Sequence, residues 1–525
     1  MKLGHEASSS NDVVQSEIIA FLRDPLSWPE HPSQVDVIET HGALVFLVGE
    51  TVLKIKRAVR LPYLDFSTLS ARHQFTKREF EINSAHAPEL YREVIAITRE
   101  ADGRFAMDGK GHPVEWAILM RRFNQDQLLS RIVAQRGIDD RMATALADAI
   151  IAYHGLAPAK FDTVDPVEGV AQSIHAALSH QADHRLVEAA DRFLSAVRVQ
   201  LSRSADIRHD RAVAGSVRRC HGDLHLNNIV LWHGAPVPFD AMEFDEALAT
   251  IDTLYDLAFL LMDLERNHAR PTANVVLNRY LWRTGQANDL RGLAALPLFL
   301  GLRAGVRAMV ALDRAQLVGK PDGGIIDHVL ATMALAERFL DPPPPRLIVV
   351  GGLSGTGKTV LAAGLAPHTG AAPGALHLRT DLERKRLAGI DELERLPVGS
   401  YTEEASHIVY QNLISQARLA LSAGHSVVLD GVYAREAERR AIHALAQEVG
   451  ISLEAIWLEG DQGLLKSRVA SRVGDASDAT PDVVDFQSRI DTGQIIWHRI
   501  NASRSMADVL ADVRHVLSDT GSDPA

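Results

Sequence analysis

Cysteine is almost absent from this sequence, with Cys220 the single example among 525 residues. No internal disulfide can therefore form, and a reducing compartment is the natural environment of the chain. The segment from Met1 to Gln15 is polar and serine-rich, and it lacks the apolar core of a signal peptide. Nor does any stretch approach the roughly 18 uninterrupted apolar residues of a membrane span. We therefore expect a cytoplasmic protein with no membrane partner.

Basic residues are also fewer than acidic ones. Lysine and arginine number 55 against 67 aspartates and glutamates, which gives a formal net charge of −12. Such an overall field does not recruit nucleic acid or an anionic membrane surface. The apolar fraction of 46% and the charged fraction of 23% are those of a globular protein. Because the chain is too long for one ordinary hydrophobic core, about two to four compact units are expected.

Four consecutive prolines, Pro342 to Pro345, mark the clearest boundary along the chain. They can continue neither a helix nor a central strand, and they favour a stiff extended spacer. Residues 329–340 before them have the apolar spacing of a helix, and Leu347 to Val350 after them resemble a buried strand. We predict domains at 1–340 and 346–525 joined by a linker at 341–345. The alternative is a proline-rich loop inside one domain.

The hydrophobic periodicity of the sequence changes within the first of these domains. Residues 35–60 and 90–122 alternate between apolar and polar as strands do, whereas residues 141–340 are mostly helical in pattern. A small β-rich lobe followed by a larger helical lobe is the order of a protein-kinase-like fold. The predicted fold class is therefore a two-domain one, α+β in the first half and α/β in the second.

The second half opens with a phosphate-binding pattern. The octet from Gly352 to Thr359 fits G-x-x-x-x-G-K-[ST] and lies between a predicted strand and a predicted helix, as the motif requires. Its backbone N–H groups and the helix N-terminus would surround phosphate oxygens, Lys358 would bridge the β- and γ-phosphates, and Thr359 would reach Mg²⁺. A glycine-rich turn with a solvated lysine is the alternative. The predicted nucleotide-binding residues are Gly352, Ser354, Gly355, Thr356, Gly357, Lys358 and Thr359.

Two aspartates follow the next predicted strands of this half. Asp381 comes just after the strand 375–378, and Asp430 ends the strand 426–430. Ligands of open α/β sheets bind beyond the carboxyl ends of strands, so both carboxylates are expected near the phosphates. We assign Asp430 to Mg²⁺, through water, and Asp381 to accepting a proton from an attacking hydroxyl. Asp381 could instead simply cap the helix that follows.

A basic cluster follows a fourth predicted strand. Arg468 and Arg472 are four residues apart, so they share a helix face and, with Lys466, could close over a transferring phosphoryl group. A solvated helix face is the alternative. Together these features resemble the P-loop kinase superfamily, near polynucleotide kinase, zeta toxins and gluconate-type kinases, over about residues 346–518. The resemblance implies that in the D-x-x-R motif Asp381 is the general base and Arg384 steadies the substrate phosphate.

The first half carries a second catalytic pattern. His221-Gly222-Asp223 is followed at Asn228 by an amide and, after a predicted hairpin, by Asp240. Phosphoryl transfer needs a carboxylate near the acceptor hydroxyl, an amide oxygen for one Mg²⁺ and a second carboxylate for the metals. This sequence supplies them in the same order along the chain as the H-R-D…N and D-F-G motifs of protein kinases. The motif resembles the catalytic loop of aminoglycoside and choline phosphotransferases, which implies Asp223 as base and Asn228 and Asp240 as Mg²⁺ ligands. Binding of a transition metal by His221 and His225 is the alternative.

A nucleotide lysine and its glutamate are expected upstream. Lys54 and Lys56 lie on the same face of one predicted strand, and Glu79 and Glu81 lie in a predicted helix at 70–85. We favour Lys54 paired with Glu79. For the other lysine, a surface charge on an edge strand is the alternative. The strand hairpin has no G-x-G-x-x-G motif, as is often so in aminoglycoside-type kinases.

Both halves together resemble a predicted bacterial family that fuses an aminoglycoside-phosphotransferase-like domain to a P-loop kinase domain of the AAA type. The resemblance implies ATP and Mg²⁺ as cofactors, but it implies no substrate. Our leading hypothesis is an ATP-dependent phosphotransferase with two nucleotide sites that acts on the hydroxyl of a small molecule. One alternative is a P-loop switch coupled to a kinase-like ligand-binding module. Another is a second half that phosphorylates nucleic-acid ends or nucleotide sugars. The excess of acidic residues in this half argues against a nucleic-acid partner.

Overall fold

The computed structural model describes residues 6–519 except 41, 62–63, 162–164, 320 and 473. Along the chain, the first of two compact units takes Met1–Ala190, Ala212–Asp263 and Arg303–Thr332, and the second takes Asp191–Arg211, Leu264–Leu302 and Met333–Ala525. The second unit thus draws on segments from both sides of the four prolines. Compactness and the proline boundary divide the chain differently, and the boundary at 341–345 stays a prediction.

The regular elements are numbered in chain order. The strands are β1 (Asp36–Glu39), β2 (Ala43–Val48), β3 (Thr51–Lys56), β4 (Arg60–Leu61), β5 (Leu64–Asp65), β6 (Tyr91–Arg99), β7 (Phe105–Met107), β8 (His112–Arg121), β9 (Val217–Arg219), β10 (Ile229–Trp232), β11 (Ala235–Pro238), β12 (Thr250–Asp252), β13 (Leu347–Gly352), β14 (Leu376–Arg379), β15 (Val427–Asp430), β16 (Leu453–Glu459) and β17 (His498–Asn501). The helices are α1 (Glu6–Arg23), α2 (Leu69–Ser84), α3 (Leu129–Arg136), α4 (Asp140–Leu156), α5 (Val167–Ser179), α6 (His184–Arg203), α7 (Ala205–Val213), α8 (Glu246–Ala249), α9 (Thr253–Arg266), α10 (Arg270–Thr284), α11 (Ala287–Gly292), α12 (Leu296–Val318), α13 (Gly323–Leu340), α14 (Lys358–Leu365), α15 (Thr380–Ala388), α16 (Glu403–Ser422), α17 (Glu436–Val449), α18 (Gln462–Ala470), α19 (Pro481–Gln487) and α20 (Met506–Asp519).

After α1, the first unit contains a six-stranded antiparallel sheet in the order β1-β2-β3-β8-β6-β7. On β3, Leu53 and Ile55 are buried in the same core cluster as Phe46 of β2. Side chains alternate across a strand, so Lys54 and Lys56 point to the opposite face. The sheet therefore presents both lysines together on one side.

Helix α2 packs against this sheet with a polar face. Thr68 caps its N-terminus by accepting a hydrogen bond from the Ala71 N–H at 3.1 Å. The side chains that it buries are Arg72, Glu79 and Asn83, together with Thr76, spaced as one helical face. Because these residues are polar, the buried face has no apolar periodicity, and it is held by hydrogen bonds and ion pairs instead.

The helical part of the first unit contains the loop 221–228, which lies between β9 and the antiparallel hairpin of β10 and β11. Helix α9 is buried on nearly all sides, beyond the single apolar face that its leucines indicate in the sequence. It buries two aspartates, Asp256 and Asp263, among these apolar residues. Buried carboxylates need hydrogen-bond donors, and here the loop supplies them.

The second unit is built on a five-stranded parallel sheet in the order β14-β15-β13-β16-β17. The central strand β13 is buried along its whole length, as expected for a strand covered on both faces. Its core cluster joins Val350 of β13 to Leu361 of α14 and Val509 of α20. The carboxyl ends of β13, β14 and β15 lie at one edge of the sheet, which brings the P-loop and both predicted aspartates to that edge.

The fold prediction is confirmed: a kinase-like α+β fold forms the first unit, and a parallel-sheet P-loop kinase fold forms the core of the second. One helical stretch among the described residues, 287–316, has the length and apolar composition to cross a membrane. Within it, 67% of the most apolar window is buried inside the structure. Core helices of soluble proteins have the same character.

Candidate functional site

The first site contains a cluster of five charged residues on the face of β3 opposite Leu53 and Ile55. Lys54 Nζ lies 2.7 Å from Glu79 Oε1 and 2.5 Å from Asp240 Oδ1. Lys56 Nζ lies 2.8 Å from the other oxygen of Glu79 and forms an ion pair with Glu243. Both lysines therefore share one glutamate, but only Lys54 contacts the predicted metal ligand. We call these five residues the lysine cluster.

For Lys54 and Glu79 of the lysine cluster, attraction between opposite charges outweighs burial in its effect on the pKa values. Burial alone would lower the pKa of Lys54, but Asp240 and Glu79 raise it well above its usual value. Burial would likewise raise the pKa of Glu79, yet the ammonium groups of Lys54 and Lys56 lower it to about 2. All three groups are thus charged at neutral pH. Glu81, the alternative partner in the sequence, is exposed and lies 3.8 Å from Arg78.

Two buried aspartates of helix α9 hold the backbone of the loop 221–228, which carries the predicted base. Asp256 accepts hydrogen bonds from the N–H groups of His221, at 3.1 Å, and Gly222, at 2.9 Å. About two helical turns further along α9, Asp263 accepts a hydrogen bond from the Leu226 N–H at 3.0 Å. Gly222 has φ of +81°, and a Cβ there would meet Met242 at 3.2 Å. The loop therefore requires glycine at this position and is tied at two points to the helix beneath it.

The predicted base, Asp223, lies beside the predicted amide ligand. Asn228 Nδ2 donates to Asp223 Oδ2 at 3.0 Å and to the Asp223 carbonyl at 2.9 Å. His225 Nε2 lies 3.4 Å from the same carboxylate. Burial works to raise the pKa of Asp223, but His225 outweighs it and the pKa falls below its usual value. Asp223 is therefore ionised at neutral pH and oriented by two neighbours.

Asp240 lies at the end of the hairpin with φ of +61°, a left-handed conformation that is uncommon outside glycine, although aspartate adopts it more readily than most residues. Its N–H donates to Tyr91 Oη at 3.2 Å, and its carboxylate faces Lys54. His221 Nε2 lies 3.0 Å from the carbonyl of Phe239, just before Asp240. His221 thus links the loop 221–228 to the Asp240 segment, and this contact argues against the alternative role as a metal ligand.

A group of buried potential ligands lies behind the loop. Single ligand atoms of His154, Cys220 and Asp256 lie within 4.8 Å of one another. However, Asp256 already accepts from two backbone N–H groups, and its Oδ2 lies 3.1 Å from His154 Nε2. Burial raises the pKa of the Cys220 thiol well above its usual value, which disfavours the thiolate that metals bind. The group is part of the support of the loop.

The second site is the P-loop site. Thr359 Oγ1 donates to Asp430 Oδ2 at 2.6 Å, which joins the two predicted Mg²⁺-side residues. Lys358 Nζ donates to the carbonyl of Leu353 within the loop at 3.0 Å. Gly355 has φ of +86°, and a Cβ there would lie 2.5 Å from the carbonyl of Leu465. Gly352 and Gly357 also have positive φ, at +139° and +89°.

The remaining P-loop residues close the turn. Thr356 Oγ1 donates to the carbonyl of Leu353 at 2.8 Å. The Ser354 N–H, a donor that would face phosphate oxygens, instead donates to Gln487 Oε1 of α19 at 2.8 Å. The side-chain amide of Gln487 therefore occupies a position that an anionic ligand would use.

The two aspartates of the second unit have opposite electrostatic environments. Burial, together with the neighbouring Asp430, raises the pKa of Asp381. Asp430 is also buried, but His377 beside it lowers its pKa below the usual value. The N-cap of α15 is Arg379 and has no side-chain hydrogen bond to the helix, so Asp381, two residues on, is not the cap. Two carboxylates pushed apart in pKa suit separate proton-accepting and metal-binding roles.

The predicted phosphate-side arginines are not all gathered at this site. Arg384 donates to the carbonyl of Ser400 at 2.7 Å and lies 5.1 Å over the ring of Tyr401. Arg468 donates to the Ala502 carbonyl at 2.9 Å, whereas Arg472 lies 3.3 Å from Asp475.

Arg472 lies close enough to Lys358 to assist burial in lowering the pKa of that lysine. Lys466 pairs with Asp485 at 2.5 Å. The three basic residues of the sequence cluster therefore point to three different partners.

Several residues that contact the predicted residues of the two sites were not themselves predicted from the sequence. His377 and Arg379 lie 3.7 Å and 3.9 Å from Asp430, and their alternating places on a short strand are a weak signal. Asp256 and Asp263 are acidic residues in an otherwise apolar helical run, which is a signal that the sequence did contain. Gln487 has no sequence signal, because nothing local indicates that its helix faces the P-loop.

Residues 347–489 match a family model described as an AAA domain. An uncharacterised protein of Mycobacterium tuberculosis is 29% identical over 503 residues, which cover 92% of this chain and 95% of that protein. The predicted combination of a kinase-like domain with a P-loop domain is confirmed by the two folds and by the family model.

Solved structures resemble separate parts of the chain. A sugar kinase from Janibacter sp. HTCC2649 is 21% identical, covers 33% of this chain and 95% of its own, and has a TM-score of 0.27. A choline kinase from Cryptosporidium parvum Iowa II is 11% identical, covers 61% of this chain and 95% of its own, and has a TM-score of 0.39. A choline/ethanolamine kinase family protein from Mesorhizobium loti is 16% identical, with coverages of 62% and 98% and a TM-score of 0.37.

Proposed function

We propose that this chain is an ATP-dependent phosphotransferase with two nucleotide sites, each of which transfers a γ-phosphoryl group to the hydroxyl of a small molecule. The observation that carries the proposal is the contact of Lys54 with both Glu79 and Asp240. A strand lysine held by a helix glutamate and facing a carboxylate is the arrangement that phosphoryl transfer requires in a kinase-like fold. Asp223 and Asn228, in contact with each other, supply the acceptor side.

In the first site, the proposed role of each residue follows from its charge. Lys54 would bind the α- and β-phosphates, and Glu79 would keep its side chain extended toward them. Asp223 would orient the acceptor hydroxyl and accept its proton as the O–P bond forms, while the leaving ADP oxygen takes the negative charge. Because the pKa of Asp223 is lowered, its carboxylate is ready to accept that hydrogen bond at neutral pH.

In the P-loop site, Lys358 and the loop N–H groups would hold the β- and γ-phosphates. Asp381 would accept the proton of the attacking hydroxyl, and its raised pKa makes it a stronger base than an ordinary aspartate. The two sites thus use bases of different strength.

The oxygen donors of both sites suit Mg²⁺. Asp240 with Asn228 in one site, and Thr359 with Asp430 in the other, offer carboxylate, amide and hydroxyl oxygens, which this hard cation prefers. When bound, Mg²⁺ would neutralise the charge that develops on the phosphate oxygens. The acidic balance of the chain supports a small molecule over nucleic acid as the acceptor.

The test is phosphoryl transfer from ATP labelled at the γ-phosphate to a metabolite library, with four forms of the full chain. We expect the wild type to label products, Asp223→Asn and Lys358→Ala each to remove one set of products, and the double variant to label none. Binding of a single ATP per wild-type chain at saturation contradicts the two-site proposal. Binding of ATP without any labelled product favours a nucleotide-driven switch joined to a ligand-binding module.

A further inference from the structure

Strand β14 forms one edge of the parallel sheet, and its outer side is covered by side chains of α10. Asn278 Oδ1 accepts a hydrogen bond from the His377 N–H at 2.6 Å, and its Nδ2 donates to the Ala375 carbonyl at 3.2 Å. Asn274 Nδ2 donates to the same carbonyl at 3.0 Å. The side-chain amide of Asn278 therefore both accepts and donates along the strand, as the peptide of a neighbouring strand would.

The contacts continue along the whole face of the helix. Arg270 donates to the carbonyls of Pro367, at 2.6 Å, and Gly370, at 3.1 Å. At the other end, Trp282 Nε1 donates to the carbonyl of Leu382 at 3.4 Å.

The residues that make these contacts recur every four positions, so they form one stripe on α10. We call this stripe the edge clamp, and its members are Arg270, Asn274, Asn278 and Trp282.

The edge clamp bears on the P-loop site through the strand that it holds. His377, whose N–H is bound by Asn278, directs its side chain toward Asp430 at 3.7 Å. Asp381 follows the strand within the first turn of α15, and Trp282 binds the next residue's carbonyl. The register of β14 therefore sets where His377 and Asp381 lie relative to Asp430 and the P-loop.

We propose that the edge clamp, and Asn278 above all, consists of positioning residues for phosphoryl transfer at the P-loop site. These residues precede the four prolines, so the site is complete only when residues 264–302 are included with the P-loop half of the chain. The inference rests on the proposed function of that site. The competing explanation is that the stripe only protects a sheet edge from pairing with other chains.

The two explanations differ in what the clamp does to turnover. The P-loop lies on β13, the central strand, which is paired on both sides independently of α10. A displaced β14 would therefore misplace Asp381 while leaving the phosphate cradle in position. Loss of positioning should lower kcat, whereas the KM for ATP should change little.

The experiment uses the full chain with the first site silenced by Asp223→Asn, and it follows hydrolysis of ATP to ADP with water as the acceptor. In this background, Asn278→Ala should lower kcat on the order of 10- to 100-fold, the usual effect of an ångström-scale misplacement. The KM for ATP should stay within about twofold, and hydrogen exchange at the His377 amide should accelerate.

Arg291→Ala is the matched control, because Arg291 belongs to the same segment but pairs with Asp210 at 3.1 Å. It should change neither kcat nor exchange in β14. If Asn278→Ala does not fold, Trp282→Phe removes one hydrogen bond and keeps the ring. It should lower kcat less strongly, again at constant KM.

The outcomes separate the two proposals. No ATP turnover in the Asp223→Asn parent overturns the proposed function of the P-loop site, and the clamp's catalytic role with it. Turnover in the parent that Asn278→Ala leaves unchanged, despite faster exchange of β14, overturns the clamp alone and assigns it to edge protection. Equal changes of kcat and KM also overturn it, because they would report a general loss of the site.

Discussion

The charge balance of the lysine cluster predicts an unusually large effect of replacing Lys56, a residue for which the sequence left a surface position open as an alternative. Lys56 is 3% exposed and holds one oxygen of Glu79 and one of Glu243. Two ammonium groups face three carboxylates in this cluster. Replacement of Lys56 by Met, which has a similar length, leaves three carboxylates around Lys54 alone.

Breaking a buried ion pair from one side leaves an uncompensated charge and typically costs about 3–5 kcal/mol. For a unit of this size, each kcal/mol lowers the melting temperature by roughly 2–4 °C, so Lys56→Met should melt roughly 10 °C lower at pH 7. Glu79→Gln should destabilise less, because it leaves two positive and two negative groups. Lys77→Met, on the exposed side of α2, is the matched control and should change little.

The effect of Lys56→Met should depend on pH. In the wild type, Glu79 has a pKa of about 2, so its contribution is present at neutral pH and is lost only as the pH falls through about 2. Without Lys56, the pKa values of Glu79 and Glu243 rise, and the penalty exists only while both are ionised. The difference in melting temperature should therefore be smaller at pH 5 than at pH 7.

Differential scanning calorimetry of the full chain measures both effects. A Lys56→Met variant that melts within about 1 °C of the wild type at pH 7 would refute the argument that three carboxylates facing one ammonium group destabilise the fold. A difference that grows as the pH falls would refute the assignment of the penalty to ionised carboxylates.

Three further predictions concern the two sites. Asp240→Asn should weaken Mg²⁺-dependent ATP binding at the first site, and added Mg²⁺ should partly restore it in a calorimetric titration; equal behaviour of Asp223→Asn would mean that the roles are misassigned. Turnover at the P-loop site should rise with pH along an acid limb above the usual range of aspartate, because the pKa of Asp381 is raised. Asp381→Asn should remove that limb and lower the rate roughly 10²–10⁴-fold, whereas a retained limb points to another base. Gln487→Ala should lower the KM for ATP at this site by roughly 2- to 10-fold, the value of one hydrogen bond to Ser354, and an unchanged KM would show that the Gln487 contact does not compete with nucleotide.

The sequence predicted those parts of the two sites that depend on local spacing. The P-loop needs only a strand, a glycine-rich turn and a helix in succession, and Asp223 and Asn228 are brought together within one loop. Lys54 and Glu79 were also paired correctly in space, because a strand and the helix after it pack as neighbours. Whether these residues perform the assigned roles stays a prediction.

What the sequence could not predict depends on packing between segments that are distant along the chain. The sequence predicted one helix face for Arg468 and Arg472, but α18 ends at Ala470 and Arg472 lies beyond it. Arg468 therefore binds the Ala502 carbonyl, whereas Arg472 pairs with an aspartate of the following loop. Lys56 lies in the same strand pattern as Lys54, and the packing of Glu79 and Glu243 against it makes it a buried member of the cluster.

The sequence by itself determined the two motif-bearing cores, because hydrophobic periodicity and glycine-rich turns act over a few residues. Only the tertiary structure decided which segments complete them. The proline run suggests a division at 341–345, but Asn278, nearly a hundred residues from His377, supplies the hydrogen bonds along the edge of β14. The backbone N–H and C=O groups at a strand edge need hydrogen-bond partners, and any segment that the fold brings close can supply them. The sequence near the strand therefore does not indicate which segment does so.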